Sequence, residues 1–382
     1  MSEISWREAR AIAAGIPGEV RGELVSLVDG DSRVLAEDVH ALTDLPGFPT
    51  AAMDGWAVDG PGPWQIVGTA SAGDVQVVDV ALGECVRIGT GAAIPRGCTR
   101  VIPWESAIVD GSTVRESEPS TKIHIRPRGE ERQSGDLVAA RGTRLNPVLI
   151  GHIAAVGHDR VRVACPPPVH LLVVGDEVVT SGIAAPGQVR DALGVQIPMW
   201  IARLGGRLET LHWLGDAIEA LTVALEGVPS GALVVTTGGT ARGHRDHIRD
   251  AWLAAGGTWN VDGVHVRPGH PMMLGQRGTT VLVGLPGNPL SALVALATLF
   301  APIVATRLGL RTPAAQDVRL SEGIATSVTR LLVGCRRDGA FEGVERVSSA
   351  MLAGLAQADG WAVVEPPGAN SGESVEWLPL PW

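Results

Sequence analysis

Two loops place the residue types that hold an anion directly after runs of branched apolar residues. Ala232-Leu233-Val234-Val235 runs into Thr236-Thr237-Gly238-Gly239-Thr240-Ala241-Arg242-Gly243, and Val281-Leu282-Val283 into Gly284-Leu285-Pro286-Gly287-Asn288-Pro289. Glycines at a strand's carboxyl end let backbone amides approach a phosphate, and the helix that follows adds partial positive charge. An ordinary strand-to-helix turn uses the same residues, and no GxxxxGK[ST] phosphate loop occurs in the chain. In the second loop Pro286 fixes one turn residue and Gly287 supplies a conformation that other residues resist. Asn288 can cap the helix and Pro289 suits its first turn, which leaves free amides facing outward. Arg267-Pro268-Gly269-His270-Pro271 is a third loop, carrying two possible cations.

Acidic residues fall at similar places. Val173-Val174-Gly175-Asp176-Glu177 closes one strand, and His244-Arg245-Asp246-His247 opens a helix beside the glycine loop. Carboxylates beside an anion cradle commonly hold a divalent cation that neutralises phosphate or oxyanion charge, although Asp246 could equally be a solvated helix cap. His244 and His247 lack a third ligand at metal spacing and read as loop residues. Asp54, in Pro49-Thr50-Ala51-Ala52-Met53-Asp54-Gly55-Trp56, stands among apolar neighbours, where an unpaired buried carboxylate would be costly.

The elements that must position these groups follow from periodicity. Residues 5–15 read as a helix. From about 55 to 125, short apolar runs broken by Gly and Pro predict a β-rich module with little helix. Residues 144–157 have helical spacing behind Asn146-Pro147, a cap and a first-turn proline. After Pro166-Pro167-Pro168, strands and helices alternate as far as the helix from about 289, which predicts a parallel, doubly wound sheet with ligands at the strands' carboxyl ends. Past Pro313 short strands return as a small β domain.

A chain of 382 residues with 45% hydrophobic and 19% charged residues supports two to four folded domains. Uninterrupted apolar runs stay short of the ~18 residues of a membrane span, and the start reads as an amphipathic helix, not a signal peptide. A soluble, cytoplasmic protein is expected. The net charge of −10 disfavours nucleic acid as a partner. Cys85, Cys98, Cys165 and Cys335 form no CxxC pair and read as reduced, structural thiols.

Seven stretches together resemble the molybdopterin molybdenumtransferase family, the MoeA proteins and the E domain of gephyrin. They are LPGFPTAAMDGWAV, RIGTGAAIPRGCTRVIPWE, IRPRGEERQSGDLVAARGTRLNPVLIGHIAAVG, VVGDEVV, VVTTGGTARGHRDHI, VRPGHPMMLG and GLPGNPLSALVAL, in the family's order between residues 45 and 300. The resemblance implies a multidomain α/β and β fold in an elongated four-domain subunit. Its domains would be helical domain I (1–22 plus 136–164), inserted β-rich domain II (23–135), doubly wound molybdopterin-binding α/β domain III (166–309) and C-terminal β-barrel domain IV (310–382). It also implies a homodimer whose cleft lies between domain III of one subunit and the first two domains of the other.

The implied reaction inserts molybdate into adenylylated molybdopterin, releasing AMP and forming molybdenum cofactor with the help of magnesium (Mg2+). Asp54, Thr90, Glu177 and Asp246 fall on family positions that matter for activity. Glu177 and Asp246 are expected at the magnesium or pyrophosphate end, and Asp54 and Thr90 on the partner subunit's side of the cleft. Gly238, Gly239, Pro286, Gly287 and Asn288 are expected to bind the nucleotide-pterin, and Arg267 and His270 to meet molybdate. A molybdopterin adenylyltransferase and apo-molybdoenzymes are further candidate partners.

The sequence departs from the family's pattern at several positions. Ala51 replaces a usual Ser, RPGHP replaces KPGKP, Gly129-Glu130-Glu131 replaces GED, and Asp191-Ala192-Leu193 replaces Asp-Ser-Asn. Arg267 keeps a fixed charge with a different geometry, whereas His270 is only partly charged near neutral pH. These changes define an alternative, a degenerate paralogue that binds molybdopterin as a scaffold without turnover. Nucleotide transfer from ATP is a further alternative, opposed by the extra domains.

Overall fold

The computed structural model describes residues 4–74, 79–241, 243, 246–310 and 316–382, and these form two compact units. One comprises the residues up to Glu23, Gly142–Arg144 and Val163–Trp382; the other comprises Leu24–Arg141 and Leu145–Arg162. Of the two stretches expected to share a helical domain, residues up to 22 fall in the first unit together with 142–144 and 163–164, and the rest of 136–164 falls in the second. Residues up to Glu23 pack with the α/β body, and the helix Pro147–Ala155 belongs to the β-rich unit.

The first unit is built on a six-stranded sheet in the order Arg207–Leu214, Pro168–Val174, Leu233–Thr237, Thr280–Leu285, Met273–Arg277, Thr258–Asp262. The first four strands pair parallel, and Met273–Arg277 pairs antiparallel with both Thr280–Leu285 and Thr258–Asp262, so the expected parallel sheet carries antiparallel pairing at one edge. Leu233–Thr237 and Thr280–Leu285 are buried along their whole length, as the apolar runs Leu233-Val234-Val235 and Val281-Leu282-Val283 within them require of strands covered on both faces. On one face, Leu221 and Leu225 of helix Ile218–Glu226 and Ala251 and Trp252 of helix Ile248–Ala254 pack on Leu172, Val234 and Leu282.

The run Pro289–Leu308 is long and apolar enough to cross a membrane, with a mean hydropathy of 1.9, and 67% of it is buried inside the protein. A wider turn at Leu296–Phe300 interrupts its regular hydrogen bonding. Ala297 O accepts from Arg10 Nη1 at 2.6 Å, and Thr298 Oγ1 accepts from Trp6 Nε1 at 3.0 Å. Those donors lie on helix Trp6–Gly15, which Ser5 caps by accepting from Glu8 N.

The expected C-terminal barrel is present. Strands Thr329–Arg337, Ala340–Gly343, Gln316–Leu320, Ser374–Pro379 and Gly360–Val364 close on themselves around Val318, Phe341, Ala362 and Trp377. Val264–Arg267 extends the barrel by pairing with Thr329–Arg337.

The second unit holds a six-stranded sheet in the order Arg100–Pro103, Gly55–Val58, Glu84–Ile88, Trp64–Ala70, Thr113–Glu116, Ala107–Asp110. This is the expected β-rich module, and its only helical element among the described residues is one short turn at Trp104–Ser106. Helix Pro147–Ala155 starts as expected, with Asn146 Oδ1 accepting from Leu149 N at 2.9 Å and Pro147 in the first turn.

Candidate active site

After Pro168–Val174 the chain moves outward to Arg207–Leu214, then returns to the other side as Leu233–Thr237. The strand order therefore reverses between Pro168–Val174 and Leu233–Thr237, and open α/β sheets bind ligands at the carboxyl end of such a switch point. Gly238 sits there with φ +80°, and a Cβ on it would stand 2.8 Å from Val174 O. Gly239, at φ +66°, is held equally tightly, because its Cβ would meet Ile248 Cγ1 at 2.9 Å. Both positions exclude side chains, which brings the backbone to the surface of the crevice. Gly238 N donates to Leu285 O at 3.0 Å, and a Cβ on Gly287 would lie 3.6 Å from Gly238 Cα. The two glycine loops read separately from the sequence therefore form one surface.

The helix beginning at Pro289 corrects a local expectation. Asn288 does not cap it with its side chain; Nδ2 instead donates to Ser349 Oγ at 3.3 Å. The amides of Leu290 and Ser291 are not free either, since both donate to Ser349 O, at 3.0 and 3.2 Å. The acceptor comes from the barrel domain, 61 residues away from Asn288 in sequence, so a local reading of the Pro-Gly-Asn-Pro turn could not supply it. Pro286 is buried, while Gly287 and Asn288 are exposed.

Beside this helix opens a cleft of about 890 Å³, lined from the α/β domain by Arg267, Pro268 and Leu290 and from the barrel by residues that include Arg330, Ser348 and Ser349. Arg267 and Arg330 are register partners on adjacent parallel strands, and both are exposed. Two guanidiniums side by side repel one another unless an anion lies between or beside them. Nothing local in the sequence marks Arg330; only strand pairing brings it to Arg267. His270 is exposed but lies outside the cleft's lining, and its carbonyl accepts from Val264 N at 3.0 Å.

Carboxylates gather along the same carboxyl edge of the sheet. Glu177 folds back over Gly175, its Oε2 lying 2.9 Å from where a Gly175 Cβ would stand. Asp246 Oδ2 accepts from Gly243 N at 2.6 Å, three residues before it, so this oxygen closes the loop ahead of helix Ile248–Ala254 and does not cap that helix, whose N-cap is His247. Asp216 follows the edge strand Arg207–Leu214, and its amide donates to Asp176 Oδ1 at 3.3 Å. Asp216 carries the same local signal as Asp176 and Glu177, an acidic residue just past a Gly that ends a strand. His244, with Arg242 and Arg245, lies outside the described residues.

No group of three or more His, Cys, Asp or Glu suited to a metal occurs among the described residues.

Asp54 and Thr90 lie in the other unit, where the fold joins them. Asp54 Oδ1 accepts from Thr90 N at 2.6 Å and from Thr90 Oγ1 at 2.8 Å. These donors, the backbone amide first, hold the exposed Asp54 carboxyl below its ordinary range. Asp54 is thus an exposed, charged residue at the end of a strand and not an unpaired core carboxylate. Ala51, by contrast, is fully buried among Ala57, Val86 and Val101, and Leu193 is buried at the start of its helix. Both departures from the family pattern are absorbed into packing. Asp191 anchors the latter helix by accepting from Gly194 N at 2.7 Å and Trp213 Nε1 at 2.8 Å.

Residues 4–157 match the family described as "MoeA N-terminal region (domain I and II)", and residues 170–306 the family described as "Probable molybdopterin binding domain". The molybdopterin molybdenumtransferase of Haemophilus influenzae is 31% identical over 303 residues, covering 77% of this chain and 75% of that protein. The chain belongs to the molybdopterin molybdenumtransferase family. Molybdopterin molybdenumtransferase 2 of Mycobacterium tuberculosis is 29% identical over 328 residues, 81% of each chain. Two crystal structures of the molybdopterin biosynthesis MoeA protein from Pyrococcus horikoshii share the fold. Their TM-scores are 0.81 and 0.78 at 23% and 20% identity, covering 98% and 99% of this chain and 98% and 100% of theirs. In this family's terms, the glycine crevice belongs to the molybdopterin-binding domain, and the Asp54–Thr90 pair to the N-terminal region.

Proposed function

We propose that this chain inserts molybdate into adenylylated molybdopterin, releasing AMP and forming molybdenum cofactor. The observation that carries this reading is one continuous wall, from Gly238 past Gly287 to Leu290 and into the cleft framed by Arg267 and Arg330. The pyrophosphate of a nucleotide-pterin needs close backbone approach, which side-chain-free positions at the switch point allow. Molybdate is a compact oxyanion, and paired guanidiniums offer it fixed charge and several donors. The sulfurs that receive molybdenum belong to the substrate, so no protein thiol has to act. Burial pushes Cys85 up to about 11 and Cys98 up to about 12, which leaves both as unreactive thiols.

Glu177 and Asp246 would hold magnesium, which when bound would neutralise the pyrophosphate charge as AMP leaves. Asp54, braced by Thr90, would present a fixed carboxylate to the cleft from a partner subunit. The homodimer this requires is supported by helix Pro147–Ala155, which carries one polar side chain, His152, yet buries only Ile153 and leaves Val148 83% exposed. The division into domains 1–22 with 136–164, 23–135, 166–309 and 310–382 belongs to the same reading, as do the cytoplasm as its compartment and an adenylyltransferase and apo-molybdoenzymes as its neighbours.

The test is AMP release from adenylylated molybdopterin with magnesium, with and without molybdate, for the protein and its Asp54→Ala and Glu177→Ala variants. Molybdate-dependent release lost in both variants is expected. Tight binding of molybdopterin without release would overturn the reading.

A further inference from the structure

An ion pair sunk in the α/β domain ties the glycine crevice to the edge of the sheet. Arg249, the second residue of helix Ile248–Ala254, faces Asp262, the last residue of strand Thr258–Asp262. Asp262 Oδ1 accepts from Arg249 Nε at 2.8 Å and from Nη2 at 2.5 Å, and the two side chains are only 18% and 19% exposed. The other terminal nitrogen, Nη1, donates to Ala241 O at 2.7 Å. Ala241 stands two residues past Gly239, in the loop whose first residues form the crevice.

A guanidinium is planar, so the two bonds to Asp262 fix its plane and with it the direction of Nη1. Asp262 is itself held by the sheet, since its register partner is Met273, and Met273 pairs in turn with Gly284. The residue before Arg249 grips the same loop: Ile248 is fully buried, and its Cγ1 is the atom that a Cβ on Gly239 would meet. Such holds matter in this loop. Gly238 and Gly239, both at positive φ, belong to the residue type that loses most freedom on ordering, and a ligand must itself order whatever the protein leaves loose. Arg249 is already paired with a carboxylate, so its influence on an anion runs through the loop's geometry rather than through free charge.

We propose that Arg249, oriented by Asp262, is a positioning residue that holds the 238–241 turn in the shape that receives the phosphate-bearing end of adenylylated molybdopterin. It acts through the backbone of the loop and does not touch the substrate. This role rests on the reading of the crevice as the nucleotide-pterin cradle, and its loss weakens binding without slowing the chemistry.

The test is Arg249→Lys, which keeps a cation for Asp262 but offers one nitrogen in place of a rigid fork, so it cannot hold Asp262 and Ala241 O in the same geometry. Asp262→Asn is its companion, because it leaves Arg249 in place and weakens what orients it. In the protein without ligand, amide hydrogen exchange at Gly239, Thr240 and Ala241 should quicken several-fold in Arg249→Lys while the melting midpoint stays close to that of the wild type. Equilibrium binding of adenylylated molybdopterin should weaken about tenfold, the weight of ordering about one residue of backbone. In the AMP-release assay its KM should rise by the same factor, with kcat and the molybdate requirement unchanged. Asp262→Asn should show the same pattern more weakly. Unchanged exchange or unchanged affinity in Arg249→Lys overturns the role, as does a fall in kcat alone. A lowered melting midpoint with affinity intact makes the pair purely structural and overturns it too. Exchange and binding are both read without turnover, so binding without AMP release refutes the transferase reading alone, whereas a wild type that does not bind adenylylated molybdopterin refutes both.

Discussion

Alanine placed at Gly238 and at Gly287 separates what these glycines do for the fold from what they do for the ligand. At Gly238 the left-handed backbone alone costs an alanine about 1–2 kcal/mol. The new Cβ would also stand 2.8 Å from Val174 O, at the end of a strand hydrogen-bonded on both sides, so relief requires backbone displacement. Overpacking of that kind adds about 1–3 kcal/mol. The sum, about 2–5 kcal/mol, should lower the melting midpoint of the α/β unit on the order of 5–20 °C. At Gly287 the nearest atom to a new Cβ is Gly238 Cα at 3.6 Å, an ordinary contact, and stability should change by no more than about 0.5 kcal/mol. That methyl group nonetheless enters the space that the pyrophosphate needs, so adenylylated molybdopterin should bind about tenfold more weakly or worse. Differential scanning calorimetry and equilibrium binding on the two variants read both effects. Equal melting of Gly238→Ala and Gly287→Ala would refute the packing argument, and unimpaired binding by Gly287→Ala would remove that loop from the cradle.

Arg330→Ala should raise the molybdate concentration needed for half-maximal AMP release by about ten- to a hundredfold, since a charged hydrogen bond contributes about 1.5–3 kcal/mol; an unchanged requirement would exclude Arg330 from the oxyanion site. The Asp54 carboxyl is depressed in the folded state, so its contact with Thr90 holds above the ordinary carboxylate value and is lost only as pH falls through the lower, folded one. The Thr90 amide resonance should therefore stay constant from neutral pH down to about pH 4, and a midpoint near neutrality would contradict the geometry. Cys85 and Cys98, with thiols pushed up to about 11 and about 12, should resist alkylation at pH 8 until the protein is unfolded, as mass spectrometry after iodoacetamide treatment would show. Chelation of magnesium should suppress AMP release and leave the melting curve unchanged, because no cluster of three ligating side chains among the described residues makes a structural metal site; a large loss of stability would mean that the metal is structural.

Much of this protein is legible in its sequence wherever physics acts locally. Branched apolar runs that end in Gly and Pro announce strands 233–237 and 280–285 and the loops behind them, because burial on both faces and turn geometry are written in a few consecutive residues. Asn146-Pro147 announces its helix in the same way. Tertiary structure decided what depends on strand pairing and distant packing. It joined Gly238 to Leu285 and Asp54 to Thr90, and it set Arg330 beside Arg267. It also gave the amides of Leu290 and Ser291 an acceptor at Ser349, where the sequence left them free for a ligand. Burial, finally, settled what two departures from the family pattern do, because the side chains of Ala51 and Leu193 point into packed interiors. Local sequence specifies which backbone groups are available, and only the assembled fold determines which of them another part of the chain has already taken.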